Sequence, residues 1–120
     1  MSERSFTKSA FIVLALSLSL TGCGEAQKSS RAPVLLDQRL AEIYARTCMG
    51  CHTVPDSGAP MTHNAAMWEP RMTQSDDVLL AHMVDGFGGM PPLGQCVECS
   101  AEDLTTLMHF MAAPAPAATN

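Results

Sequence analysis

The chain has 120 residues, a formal net charge of −5 and only 5% aromatic residues. Its length fits one domain, and its acidic balance argues against nucleic acid or an anionic lipid surface as partners, since both select basic patches. A core this poor in rings calls for a staple or a bound apolar group, and nine Met and five Cys are the residue types suited to surround the one or build the other.

The first segment reads as an address rather than as structure. Arg4 and Lys8 give a positive start, and Ala10 to Leu20 is an apolar run. That run is about half the ~20 residues that span a bilayer, so residues 1–22 read as a signal peptide. It ends at Leu20-Thr21-Gly22-Cys23, which resembles a bacterial lipobox. The expectation is that Cys23 is lipidated and becomes the new N-terminus. The plainer alternative is an ordinary signal peptide with an incidental Cys. Either route exports the chain to an oxidising bacterial compartment. Gly24, rather than Asp, follows Cys23, which favours the outer membrane. Without residues 1–22 the chain keeps five basic residues against eleven acidic ones, a formal −6. Residues 23–34 read as a polar tether.

The domain is expected over residues 35–112. From Asp37, Leu40, Ile43, Tyr44 and Thr47 recur at the spacing of one helix face. This helix runs into Cys48-Met49-Gly50-Cys51-His52. C-x-x-C-H is the attachment signature of c-type haem. Two thiols one turn apart each add to a vinyl group of one porphyrin, and the following histidine lies under the iron as a ligand. A redox dithiol or half of a zinc site is the alternative for the spacing alone.

Pro55, Gly58 and Pro60 mark a loop over 53–62, and a short helical turn is expected over 64–68, ending before Pro70. Ser75, with Asp76 and Asp77 behind it, opens a helix bearing Leu79, Leu80, Met83 and Val84, which Gly86 stops. Residues 87–94 (F-G-G-M-P-P-L-G) read as irregular. Ser100 and Asp103 form a capping box for the last helix, whose face is Leu104, Leu107, Met108 and Met111 with Phe110 beside it. Residues 113–120 read as a disordered tail. No stretch alternates with a period of two. The fold class is therefore all-α, three or four helices, with the first and last packed on each other.

Met90 is the favoured second iron ligand. Gly88 and Gly89 let its backbone approach closely, and Pro91 and Pro92 stiffen the loop. Met61, Met67, Met72, His63 and His82 stay open as alternatives, and Met90 as a packing residue is the plain reading. With His52 and Met90 both bound, no open site remains, which favours electron transfer. A haem enzyme or gas sensor is the alternative if Met90 does not ligate. Cys96 and Cys99 read as a structural disulfide in an oxidising compartment, or as a redox-active dithiol. With Cys23 lipidated and Cys48 and Cys51 on haem, none of the five cysteines is left over. Trp68 and Arg71 are candidate donors to the haem carboxylates, or else a core Trp and a solvated Arg.

These residues resemble class I c-type cytochromes, and among them the small bacterial cytochrome c5 group. The likeness runs from about Leu40 to Met111. It rests on the Cys48–His52 motif, Gly58-Ala59-Pro60, Trp68 with Pro70-Arg71, Gly86-Phe87, Met90-Pro91-Pro92, Gly94, and Cys96-x-x-Cys99-Ser100. The resemblance implies a small class I cytochrome c fold wrapped around one covalently attached haem, with Met90 as axial ligand and a Cys96–Cys99 disulfide. It implies an exposed haem edge and crossing terminal helices. It implies a one-electron carrier, not an enzyme, working between quinol-oxidising complexes and terminal oxidases or periplasmic reductases, and it leaves a homodimer open. One departure is plain. The family usually has Gly eight residues before the first haem cysteine, where this chain has Leu40.

Overall fold

A computed structural model of the chain describes residues 31–117. The 1–22 signal segment, Cys23 and the tether up to residue 30 lie outside the described residues, as do 118–120.

Helix α1 spans Gln38–Thr47 and opens on Asp37, whose carboxylate accepts from Leu40 N–H at 2.8 Å. A one-turn helix, α2 (Met49–His52), follows after a single residue. The Cys48 N–H still donates to Tyr44 O, so the attachment motif is carried almost as a continuation of α1. Another single turn, α3 (Ala65–Trp68), is capped by Asn64. Helix α4 (Asp76–Asp85) is capped by Ser75 and ends at Gly86, and α5 (Ala101–Ala112) starts on the expected Ser100–Asp103 capping box. Among the described residues there is no strand; Phe87 and Met90 form one isolated bridge.

The 86–95 stretch is less irregular than its composition suggests. Pro92–Gln95 makes one turn of 3₁₀ helix, in which Leu93 and Gly94 take left-handed angles (φ 57° and 55°). Gly86 is needed there twice over. Its φ is +84°, and a Cβ would sit 2.9 Å from Met90 O and 3.0 Å from Pro92 N.

Two groups of side chains form the core. Leu40 and Ile43 of α1 pack with Leu107 of α5 and with Cys96. The larger side chain at the crossing position is thus accommodated, and Tyr44 meets Phe110 edge-on with ring centroids 5.0 Å apart. Trp68, Leu79, Met83, Leu104, Met108, Met111 and Ala112 form the second group. Arg39 pairs with Asp103, and Arg46 with Glu98 at 3.0 Å, so charges also join α1 to the start of α5 and to the cysteine turn.

Two positions depart from the expectations. Val84 is 41% exposed. It lies roughly 100° round the helix from Met83, and α4 buries only the narrow stripe through Leu79 and Met83. Ala113, assigned by composition to the tail, is buried, and its carbonyl accepts from His63 Nδ1–H at 2.7 Å. The packed body therefore reaches Ala113.

Candidate haem site

The site is built outward from the end of α1. Cys51 N–H and His52 N–H both donate to Cys48 O, at 3.2 and 3.0 Å, which stacks the two thiols one turn apart. Both thiols are free; Cys48 is half-buried and Cys51 exposed. Burial pushes the Cys48 thiol above its ordinary value, partly offset by the Thr47 hydroxyl 3.4 Å from Sγ. Cys48 is therefore not the lowered thiol that a redox dithiol uses as its nucleophile.

His52 is the one buried polar or charged residue among those described. Its Nδ1–H donates to the Pro60 carbonyl at 2.8 Å, and its own carbonyl accepts from Thr62 N–H at 2.7 Å. With Nδ1 committed as a donor, Nε2 carries the lone pair. The Trp68 ring lies nearly parallel to the imidazole, with centroids 6.0 Å apart.

His52 lines a cavity of about 660 Å³, together with Cys48 and Cys51. That volume is within the range of small-molecule and cofactor sites. Leu79, Met83, Leu104, Leu107, Met108 and Met111 make its apolar wall, and Met90 and Leu93 line it as well. Met90 is held in a tight turn, with Phe87 N–H donating to Met90 O at 3.1 Å and Met90 N–H to Phe87 O at 3.0 Å. A Cβ on Gly94 would come 3.1 Å from Met90 Cε, so glycine there leaves the thioether its room. Cys96 and Cys99 form a disulfide between the 3₁₀ turn and α5. The donor set fits haem c: two free thiols at attachment spacing, an imidazole fixed through one nitrogen, a thioether, and apolar walls.

The two candidate carboxylate donors part company. The Trp68 indole N–H, expected to reach a haem carboxylate, instead donates to Met61 O at 2.9 Å. The turn over 61–64 that leads into α3 brings that carbonyl within reach. An indole has one donor only, so Trp68 serves as a wall. Arg71 lines the cavity and gives one N–H to Met67 O, which leaves its remaining donors for another acceptor. Sequence reasoning missed Pro60 as the partner of His52; its only signal was its place in the Gly58-Ala59-Pro60 run.

Comparison with known proteins places the chain among cytochromes. A family model described as cytochrome c oxidase, cbb3-type, subunit III matches residues 36–111. Cytochrome c5 of Ectopseudomonas mendocina is 33% identical over 72 residues, covering 58% of this chain and 83% of that protein. Cytochrome c5 of Azotobacter vinelandii is 34% identical over 72 residues, covering 58% and 87%. A solved structure, described as the electron-transfer complex of nitrite reductase with cytochrome c, contains a similar chain. It is 29% identical, with a TM-score of 0.56, and the match covers 65% of this chain and 95% of that one. This chain therefore belongs to the cytochrome c family, is similar to cytochrome c5, and is a mono-haem electron carrier with covalently attached haem c.

Proposed function

We propose that Cys48 and Cys51 bind the haem through thioethers, that His52 and Met90 are its axial ligands, and that the chain shuttles single electrons between respiratory proteins without being an enzyme. The observation that carries this is the His52–Pro60 bond at 2.8 Å, which frees Nε2 in a cavity also lined by Met90. When bound, the haem supplies exchange of one electron at iron between Fe(II) and Fe(III). The protein's own part is to hold the ring and to exclude water. The Pro60 carbonyl keeps the His52 tautomer and raises its basicity, the apolar wall disfavours the more highly charged state, and Arg71 supplies a cation for a haem carboxylate.

Partners meet a rim on which Arg71 is the one exposed charged residue. Cys51, Ser57, Gly58, Phe87, Gly88 and Gly89 are exposed and line the cavity, and Phe87 is 63% exposed. A rim of this kind suits small, quickly dissociating complexes. Quinol-oxidising complexes are the proposed donors, and terminal oxidases or periplasmic reductases the acceptors. The solved complex of a similar cytochrome with nitrite reductase supports a reductase among them. The proposed place of work is the periplasm, on a lipid anchor at Cys23, with the outer membrane favoured.

The test is the visible spectrum of the oxidised Met90→Ala protein. It is expected to show an open or water-bound iron and a lower reduction potential, since the thioether favours Fe(II). A spectrum unchanged from wild type removes Met90 as ligand and revives the haem enzyme or gas sensor. Labelled palmitate that fails to enter Cys23 removes the anchor.

A further inference from the structure

The carbonyl that fixes His52 belongs to a proline, which has no N–H of its own to anchor it. Its place depends on the residues that follow, and each is tied to a different part of the molecule. Met61 O accepts from the Trp68 indole at 2.9 Å. Thr62 N–H donates to His52 O at 2.7 Å, and Thr62 Oγ1 accepts from the Tyr44 hydroxyl at 2.8 Å. His63 makes the two ties to the end of α5. Its N–H donates to Met111 O and its Nδ1–H to Ala113 O, each at 2.7 Å.

His63 holds these bonds from an unfavourable backbone. Its φ is +62°, a region that glycine enters more readily than a residue with a Cβ. The imidazole is nevertheless gripped, edge-on to Phe110 with centroids 4.9 Å apart. We propose that His63 is a positioning residue for His52. By fastening the loop to Met111 and Ala113, it holds the Pro60 carbonyl on His52 Nδ1–H. It thereby sets the orientation and electron donation of the ring that faces the cavity. This rests on the reading of His52 as an iron ligand.

The experiment uses the reduced holoprotein in solution. Proton exchange of His52 Nδ1–H is followed by NMR, and the reduction potential is measured alongside. The variant is His63→Gly, which accepts the backbone angle and removes only the imidazole. Exchange is expected to quicken about tenfold, and the potential to rise, because a ring with a looser Nδ1–H bond donates less to Fe(III). Either quantity staying at its wild-type value overturns the proposal. Phe110→Leu removes packing from the ring but keeps both His63 bonds, so it should leave exchange unchanged. If it quickens exchange as much as His63→Gly does, packing rather than the bond is responsible and the proposal is overturned. His52 ring resonances without the ring-current shift of an axial ligand overturn the ligand reading and the proposal with it. Shifted resonances with wild-type exchange overturn the proposal alone.

Discussion

The two faces of the cavity are held in different ways. On the His52 side, hydrogen bonds arrive from distant elements: α1 through Tyr44, α3 through Trp68, and the end of α5 through Met111 and Ala113. On the Met90 side, the turn closes on itself through the Phe87–Met90 pair. It takes its shape from backbone angles at Gly86, Gly88, Leu93 and Gly94, and from a disulfide at its end. His52 is braced by the whole molecule and Met90 by a stiff local turn. Loss of a single backbone condition should therefore damage the Met90 side first.

Gly86→Ala is the strongest way to break that turn. The added Cβ would meet backbone atoms of Met90 and Pro92, neither of which yields as a side chain tip does. With the unfavourable φ, the expected cost is about 3 kcal/mol in urea denaturation. The asymmetry predicts more than a stability loss. Below the main transition, the spectral sign of thioether ligation should fade while the histidine-ligated haem persists. Simultaneous loss of both signals at every urea concentration would show that the two faces open as one unit.

Reducing the Cys96–Cys99 disulfide should act on the same face more gently. The closed loop is short, and chain entropy alone assigns it about 2 kcal/mol. Cys96 is also buried against Leu40, Ile43 and Leu107, so the change reaches the crossing of α1 and α5. Cys99→Ser should lower the urea midpoint by less than Gly86→Ala does. An equal or larger drop would mean that the disulfide, not the glycine backbone, sets the turn.

What could be read in advance divides along the same line. Helix starts at Asp37, Ser75 and Ser100 and the stop at Gly86 are local chemistry, and all four lie where the sequence places them. The C-x-x-C-H spacing and the Gly-Pro setting of Met90 are local as well. The bonds that tie the His52 side to α1 and α5 span long stretches of chain, 18 residues from Tyr44 to Thr62 and 50 from His63 to Ala113. No periodicity or composition encodes such a pairing. The Trp68 N–H, a candidate donor to a haem carboxylate, is taken instead by Met61 O seven residues back, a local bond that depends on the turn geometry between them and not on residue type. Leu40 is a third kind of case. A position that usually holds Gly takes Leu here, and its side chain is buried among Ile43, Leu107 and Cys96, so the crossing is packed by a side chain.

The smallest expected effect tests a contact belonging to neither face. Arg39 holds the Asp103 carboxyl down to about 2 from 3.8, aided by the Ser100 N–H of the capping box. A carboxylate with a lowered folded value adds stability above its unfolded value and loses it as pH falls through the folded one. The contribution is therefore complete above about pH 4 and gone near pH 2. Arg39→Gln should lower stability slightly at neutral pH, and the variant and wild type should converge as pH falls from about 4 to about 2. The pair is at the surface, so added salt should shrink the difference. It links α1 to α5 away from the His52 and Met90 turns, so the variant should keep the wild-type spectrum throughout. A change in the Met90 signal without unfolding would show that the helix crossing feeds into the turn, and that the brace on the methionine side is less local than its bonds imply.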